Sequence, residues 1–301
     1  MWTWSNKPLE IRWWLLDKIV ILTDSTSDLP LEFTIREDVQ IIPLFIRFED
    51  AVYKDGVDIS TKDLIQKMKE SNEIARSMGL RAGDFHIAYN KYIRRGYDVL
   101  YIGIGSNLSS SIQSALIAKQ ELGKTNVHIV DSKTTSAGLG LLVKKAVELR
   151  KEGLSAYEIK NRLDAMVPKI KTFYMISDLE LLYQGLRLKK FQYKLGKLLR
   201  MKPLVTLVND QVTMISRPLG KLDHTIHTMF KHVKRELKHE SVGDLVITHS
   251  VDETCLGKLE KEMSHLKPSS MMISMIGCVL GCQVGEGAVG IAFMDMHHES
   301  K

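Results

Sequence analysis

The sequence is poor in cysteine and in proline. Its 301 residues include only three cysteines and seven prolines. Three cysteines cannot form a disulfide framework, and this usage suits a reducing cytosol. Cys278 and Cys282 lie close together, but no second Cys or His pair accompanies them, so we expect no metal site. The few prolines, together with twenty glycines, leave no room for a long low-complexity linker.

Long apolar runs are also absent near the amino terminus. The apolar stretch at 13–16 is far shorter than the roughly 20 residues that cross a membrane. No small-residue cleavage site follows it, so a secretory signal is not expected. Residues 1–18 hold all four tryptophans. We interpret them as a leader of uncertain order that packs loosely beside the first strand, with an interfacial anchor as the alternative.

The overall composition is that of an ordinary globular protein. Apolar residues make up 44% and charged residues 26%, which excludes disorder and collagen-like repeats. The length allows one large domain or two ordinary ones. The net charge of +6 is mild, and we interpret it as a docking or solubility feature rather than a sign of nucleic-acid binding.

Hydrophobic periodicity predicts alternating strands and helices in the first half of the chain. Apolar runs that predict strands lie at 19–23, 41–45, 98–104 and 127–130, with a later one at 245–248. Helical periodicity appears at 64–68, 85–95, 112–122 and 139–149. Near-continuous apolar strands that alternate with amphipathic helices indicate a parallel sheet covered by helices on both faces.

The pattern changes after about residue 165 and predicts a second, mixed α+β lobe. It contains a basic helical stretch at 186–202 and predicted strands at 202–208, 212–216, 271–276 and 288–294. We therefore divide the chain into the leader 1–18, an N-terminal α/β lobe 19–164 and a C-terminal lobe 165–298.

Short hydroxyl-bearing residues follow several predicted strands. Asp24-Ser25 and Asp131-Ser132 each follow one, and the loop 106–111 contains four serines: Ser106, Ser109, Ser110 and Ser111. Open α/β sheets bind ligands at the carboxyl ends of their strands, where a helix N-terminus attracts an anion. Serines are also common helix caps, but one cap needs one hydroxyl. The loop is therefore either an anion site or a set of caps.

Other motifs do not lead to a site. The segment 285–290 matches GxGxxG, but the residues after it read as a strand, so we expect no dinucleotide site. His224, His227 and His232 recur at helical spacing without a suitable carboxylate, so metal is not expected there either. The sequence shows no recognisable motif that pairs a nucleophile with a general base. The residues themselves do not argue for an enzyme.

Short motifs spread along the chain match those of a known family. They lie at 23–30 (TDSTSDLP), 42–44, 53–56, 77–85, 105–115, 130–138, 185–187, 202–203 and 285–288. The matches span roughly residues 19–294 in order. On these residues the chain resembles the DegV family.

The resemblance implies a two-lobed α/β protein that binds one long-chain fatty acid between its lobes. In some members the lipid is presented to a bacterial fatty acid kinase. The family's carboxylate-binding hydroxyls correspond to Ser77 and Ser109, and family arginines near the ligand mouth or partner surface correspond to Arg187 and Arg217. No cofactor is implied beyond the fatty acid itself.

The chain departs from the family pattern at several positions. Gln283 stands where the family has histidine, Cys282 where it has threonine and Glu286 where it has proline. Ser110 and Leu186 each replace a glycine. Gln283 can donate a hydrogen bond but cannot carry a positive charge. These changes are compatible with lipid binding. They count against participation in phosphoryl transfer, because the histidine position adjoins the carboxylate.

Two further patterns suit a lipid carrier. Fourteen methionines could line an adaptable acyl tunnel, and our candidates are Met78, Met271, Met272 and Met275.

The stretch 187–202 carries seven cations and no acid. It is either a solvated helix face or a surface for an acidic partner or an anionic membrane.

We therefore predict a cytoplasmic, non-catalytic protein that binds a long-chain fatty acid such as palmitate or oleate. It would present the lipid for transport or metabolism, including to a fatty acid kinase. The predicted binding residues are Ser77, Ser109, Gln283, Ser106 and Ser110, with Arg187 and Arg217 at the pocket mouth or partner surface. Ser111 is expected to be a surface or cap residue.

Other functions remain open at this point. The main alternative is a phosphotransfer or hydrolase-type subunit that binds an anionic substrate at the hydroxyl-rich strand ends. A weaker one is binding to nucleic acid or a membrane surface through 187–202. We expect no nucleic-acid partner and at most transient contact with an anionic membrane.

Overall fold

The computed structural model describes residues 18–123, 126–177, 179–184, 202–208, 210–218, 221–237 and 242–295. The tryptophan-rich segment before residue 18, Arg187 and nearly all of the basic stretch lie outside these residues. Among the described helices, none is both long and apolar enough to span a membrane.

The first lobe is built on a parallel sheet. Its strands are β1 (Ile19–Asp24), β2 (Val39–Ile42), β3 (Phe45–Arg47), β4 (Val52–Lys54), β5 (Arg76–Met78), β6 (Asp98–Gly103) and β7 (Val127–Asp131). The order β2-β1-β6-β7 forms the parallel sheet, as predicted. Every residue of β1 is buried, because a central parallel strand is covered on both faces.

Helices cover both faces of this sheet. They are α1 (Leu31–Arg36), α2 (Thr61–Ser71), α3 (Ala82–Ile93), α4 (Ser111–Leu122), α5 (Ala137–Lys151) and α6 (Ala156–Met166). Side-chain caps fix several of their starts: the Ser60 hydroxyl accepts from the Asp63 amide at α2, and the Ser155 hydroxyl accepts from the Glu158 amide at α6.

One predicted strand is wrong. The run 41–45 is divided between β2 and β3, and the residues between them, Pro43 and Leu44, are not in a strand. Proline has no amide hydrogen to donate to a ladder, so the chain leaves the parallel sheet there. β3 instead pairs with β4 and β5 in a small antiparallel sheet of its own.

The second lobe is mixed α+β, as predicted, and its described strands form one mixed sheet. Its strands are β8 (Ile170–Met175), β9 (Leu204–Val208), β10 (Gln211–Ser216), β11 (Asp244–His249), β12 (Ser270–Met275) and β13 (Val289–Met294). Their order is β10-β9-β8-β13-β11-β12, with only β11 and β12 parallel among these described strands. The helices are α7 (Leu179–Gln184), α8 (Leu222–Leu237), α9 (Glu253–Ser264) and α10 (Cys278–Val284).

Helix α5 packs between the two sheets. Leu139 and Leu142 belong to the core of the first sheet, whereas Leu141 packs with Val246 and Ala292 of the second. The helix approaches the second sheet closely at Gly138, where a Cβ atom would lie 2.8 Å from Thr172 Cγ2. The two lobes therefore share a helix.

The sequence-based boundary between residues 164 and 165 falls within α6. This helix packs against β6 and β7 of the first sheet. We therefore propose a boundary between α6 and β8.

Candidate functional site

A small apolar cavity lies between the lobes. Ile104 and Leu108 line it from the first lobe, Val205 and Val212 from the β9–β10 hairpin, and Val279 from α10. Among the described lining residues, those whose side chains carry a polar atom are Thr135, Tyr174 and Gln283. Tyr174 Oη donates to the Thr135 carbonyl oxygen (2.8 Å). The cavity therefore suits an apolar ligand with a polar group at the Gln283 end.

The cavity volume is about 80 Å³. An engineered cavity of about 150 Å³ holds a single benzene molecule. A long flexible apolar ligand could therefore enter only if the walls of this cavity move apart.

Gln283 joins the cavity to a polar loop of the first lobe. Its Nε2 donates to Ser77 Oγ (3.2 Å) and to the Val279 carbonyl oxygen (3.2 Å). Ser77 is held on β5, where it pairs with Ile46 of β3. The structure thus places two predicted binding residues, 206 positions apart in the sequence, in direct contact.

The serine loop packs against the residues that follow Ser77. A Cβ atom added to Gly79 would lie 3.0 Å from Ser109 Oγ and 3.3 Å from Ser110 Oγ. Ser109 Oγ lies 3.0 Å from Ser111 Oγ, and the Ser111 amide donates to Ser109 Oγ (3.2 Å). The hydroxyls of Ser109, Ser110 and Ser111 therefore gather beside Gly79, two residues along the chain from Ser77.

Gly79→Ala should disturb this arrangement. The new methyl group would crowd the serine hydroxyls, and we expect a loss of about 1–2 kcal/mol of unfolding free energy. The control is Gly83→Ala, because a Cβ atom there has nothing within 4 Å. Chemical denaturation of both variants measures the difference. Equal stability of the two variants would show that the loops are not tightly packed at Gly79.

Ser111 is not a surface residue, and that expectation was wrong. Its side chain is fully buried, and its hydroxyl accepts from the Leu80 amide (3.3 Å). The cause is the close packing of the 77–80 loop on the start of α4, which local sequence does not reveal. Ser111 therefore links the two loops.

Ser106 and Ser110 lie on the same loop in more open positions. Ser106 is exposed, and its hydroxyl accepts from Lys133 Nζ (2.7 Å). Ser110 is the N-cap residue of α4, but its side chain makes no capping hydrogen bond. Both stay candidates for contact with a ligand's polar group.

The acidic strand ends that suggested an enzyme are used internally. Asp24 accepts from Tyr101 Oη (2.8 Å) and from the Ile104 amide (3.0 Å), and burial raises its pKa despite these bonds. The Ser25 hydroxyl accepts from the Leu44 amide (3.1 Å). These contacts hold the strand end in place.

The second strand end is similar. Burial opposes ionisation of Asp131, but hydrogen bonds from Lys133 and Ser106 outweigh it and lower its pKa. The Ser132 hydroxyl donates to the Thr134 carbonyl oxygen (3.1 Å). The pair shapes the loop that follows β7.

The GxGxxG match at 285–290 does not have the context of a dinucleotide site. Helix α10 precedes it and β13 follows it, the reverse of the strand–turn–helix order that such a site needs.

The three histidines at helical spacing lie on α8, and one of them, His227, bonds to Glu262 through Nδ1 (2.8 Å). Within the described ranges, no group of His, Cys, Asp and Glu is arranged to hold a metal ion.

Comparison with known proteins identifies the family. A family model described as "Uncharacterised protein, DegV family" matches residues 18–295. The chain belongs to the DegV family. A DegV domain-containing protein of Clostridium acetobutylicum is 30% identical over 282 residues, covering 94% of this chain and 100% of that protein. One from Staphylococcus aureus is 30% identical over 287 residues, covering 93% and 99%.

Solved DegV structures have the same fold. A Thermus thermophilus DegV protein described by its fatty acid binding has 28% identity and a TM-score of 0.84, covering 93% of this chain and 100% of that one. A Streptococcus pneumoniae fatty acid kinase B3 protein loaded with linoleic acid has 19% identity and a TM-score of 0.81, covering 92% and 99%. At that lower identity the likeness establishes the fold alone.

None of the four methionine candidates is among the described residues that line this small cavity. Met275 is 45% exposed, and Met271 and Met272 pack on other parts of the core. Aliphatic residues form most of the described walls. Contact between these methionines and an acyl chain stays a prediction.

The arginine predictions have different outcomes. Arg187 lies outside the described residues. Arg217 is exposed just beyond β10, and its Nε donates to Met214 Sδ (3.1 Å). Its role at a mouth or partner surface stays a prediction.

Sequence reasoning missed the polar residues that join the lobes. The Gly277 amide donates to Asp28 Oδ1 (2.8 Å), and the Cys278 amide donates to Asp55 Oδ1 (2.8 Å). Both carboxylates are buried. They lie in motifs shared with the DegV family, which was the available signal, but nothing local indicates that they hold the start of α10 and so position Gln283.

Proposed function

We propose that this DegV protein binds one long-chain fatty acid, such as palmitate or oleate. The acyl chain would occupy the apolar cavity, and the carboxylate would bond to Ser77, Ser109 and Gln283, with Ser106 and Ser110 at the loop edge. The observation that carries the proposal is the contact between Gln283, which lines the cavity, and Ser77 on the polar loop. The Thermus thermophilus relative supports the ligand class.

The energetics are consistent with this ligand. A sixteen-carbon chain has about fourteen methylenes, and burying them at ~0.8 kcal/mol each contributes roughly 11 kcal/mol. Association costs of ~4–15 kcal/mol offset much of that gain. The carboxylate then only has to be satisfied, and hydroxyl and amide donors can do so.

We also propose that the protein does not catalyse a reaction itself. It would present its lipid for transport or metabolism, with a fatty acid kinase as the candidate partner. The internal hydrogen bonding of the Asp24 and Asp131 strand ends supports a non-catalytic role. The basic stretch at 187–202 supports an acidic partner. The three buried free cysteines support a cytoplasmic location.

The test is mass spectrometry of an organic extract of the purified protein. We expect about one fatty acid per chain, since burial of an acyl chain in the apolar cavity is favourable and fatty acids are present during expression. Val212→Lys should abolish the signal by placing a charge against the cavity. Val208→Lys is the matched control, because Val208 lies on the same hairpin but is 50% exposed. Wild-type protein that carries no lipid and also fails to bind added palmitate or oleate would overturn the proposal.

A further inference from the structure

The β9–β10 hairpin forms one wall of the cavity. Val205, Leu207 and Val212 on this hairpin face the cavity. Among the described strands, β10 is at the edge of the second sheet and pairs only with β9. The wall is therefore a two-stranded element at the margin of its sheet.

The hairpin is joined to the rest of the sheet near its base. In the described residues, β9 pairs with β8 at Val205 and Leu204, and the Thr206 hydroxyl donates to the Thr172 carbonyl oxygen (2.6 Å). By contrast, β8 pairs with β13 along its full length. The end of the hairpin that carries Asp210 extends beyond these attachments.

Asp210 docks that end onto the first lobe. It is 1% exposed, although it lies in a hairpin turn, and its φ of 60° is in the left-handed region. Its Oδ2 accepts from the Asn107 amide (3.3 Å) and lies 3.6 Å from Lys133 Nζ. A Cβ atom added to Gly105 would lie 3.0 Å from the same oxygen. The carboxylate is therefore inserted into the serine loop.

Lys133 connects this contact to the end of β7 and to Ser106. Its Nζ lies 2.6 Å from Asp131 Oδ2 and donates to Ser106 Oγ (2.7 Å). A buried carboxylate is costly unless it is paired and bonded, so the burial of Asp210 depends on the hairpin staying closed. Its second oxygen, Oδ1, is buried with no partner among the described residues. The Asp210 carboxylate is thus bonded through Oδ2 but unsatisfied at Oδ1.

We propose that the β9–β10 hairpin is a flap over the acyl cavity and that Asp210 is its latch. The flap is hinged at the base of β9 and closes when Asp210 reaches Asn107 and Lys133. Opening widens a cavity that is otherwise too small for a long acyl chain. Because the latch closes on the loop that carries Ser109, retention of the tail and binding of the carboxylate are coupled. This inference rests on the proposed function.

Asp210→Ala tests the latch by two measurements. In the ligand-free protein, peptides covering 204–216 should exchange amide hydrogen faster than in the wild type. In the loaded protein, release of cis-parinaric acid into excess unlabelled oleate should accelerate roughly 10- to 100-fold, as expected for loss of a charge-assisted contact. Asp210→Asn keeps an acceptor for the Asn107 amide and should show a smaller acceleration.

Asp244→Ala is the matched control. Asp244 also links the lobes, since it pairs with Lys144 (2.8 Å) and Lys145 on α5, and its side chain is 11% exposed. It is not among the described lining residues of the cavity. This variant should lose stability without faster hairpin exchange or faster release.

The outcomes separate the latch from the proposed function. Unchanged exchange in Asp210→Ala would overturn the latch, and faster exchange with unchanged release would overturn the flap. If Asp244→Ala accelerates exchange and release equally, the effect is a general loosening of the protein, and the latch proposal is overturned. If wild-type protein binds no fatty acid, the proposed function fails, whereas the exchange measurement still decides whether Asp210 holds the hairpin.

Discussion

Ser109→Ala should weaken fatty-acid binding by roughly 10- to 150-fold. If Ser109 binds the carboxylate as proposed, the substitution removes one donor to it, and a charge-assisted hydrogen bond of this kind contributes ~1.5–3 kcal/mol. Ser77→Ala should cost a similar amount. The double variant should lose less than the sum of the two, since both hydroxyls serve one ligand group. A fatty-acid titration measures all three, with circular dichroism to confirm the fold.

Two serines serve as controls for this series. Ser155→Ala removes a true N-cap, whose hydroxyl accepts from the Glu158 amide (3.3 Å) on the exposed start of α6. It should lower stability by up to ~1 kcal/mol without affecting affinity. Ser111→Ala should lower stability more, because its buried hydroxyl accepts from the Leu80 amide. If Ser109→Ala and Ser77→Ala behave like Ser155→Ala, the carboxylate binds elsewhere.

Asp28→Asn should make the protein more stable at alkaline pH. Burial and the nearby Asp55 and Asp24 together raise the pKa of Asp28 from 3.8 to about 8, against hydrogen bonds from Ser136 and the Gly277 amide. Between these two pKa values the folded protein binds a proton that the unfolded chain has released. Wild-type stability should therefore fall as pH rises from about 4 towards 8.

The size of this effect follows from linkage. Each pH unit in that window costs about 1.4 kcal/mol per proton, so the roughly four units between pH 4 and pH 8 give a total loss on the order of 6 kcal/mol. Asparagine can keep both contacts, because its Oδ1 accepts from Gly277 and its Nδ2 can donate to Ser136. Ser136 can in turn donate to Thr248 Oγ1, which lies 3.1 Å away.

Urea denaturation at pH 5 and pH 8 measures the difference in slope. Asp244→Asn provides the opposite sign in a lower window, measured by urea denaturation at pH 4 and pH 2.5. Burial opposes ionisation of Asp244, but its bonds to Lys144, Lys145 and Ser270 lower its pKa to about 2. That carboxylate stabilises the fold above pH 4, and its contribution is lost as pH falls towards 2. Identical pH slopes for wild type and Asp28→Asn would contradict the assignment of a protonated Asp28.

Local sequence patterns were enough to predict most elements of the fold. The apolar run 19–23 became β1 and the helical period at 139–149 became α5, because a strand or helix is recognised by the spacing of its own side chains. The break at Pro43 was also legible in principle, since proline ends a ladder. The runs at 271–276 and 288–294 likewise became β12 and β13.

Contacts between distant segments were harder to predict. Ser77 and Gln283 were named through the family resemblance, but their hydrogen bond joins β5 to a helix from the other end of the chain. Asp210 meets Asn107 across the lobes, and neither residue differs locally from an ordinary turn residue. Ser111 looked like a cap for the same reason. Such pairings depend on tertiary packing, which periodicity does not encode.

The position of α5 has a consequence for how the protein can be divided. One face of this helix completes the core beneath β1, and its other face covers β11 and β13. A cut between the lobes would leave Val246 and Ala292 without their cover and expose a continuous apolar surface. We therefore expect the two lobes to unfold as one cooperative unit. If one lobe were replaced by that of a relative, the residues that pack against α5 would have to be replaced with it.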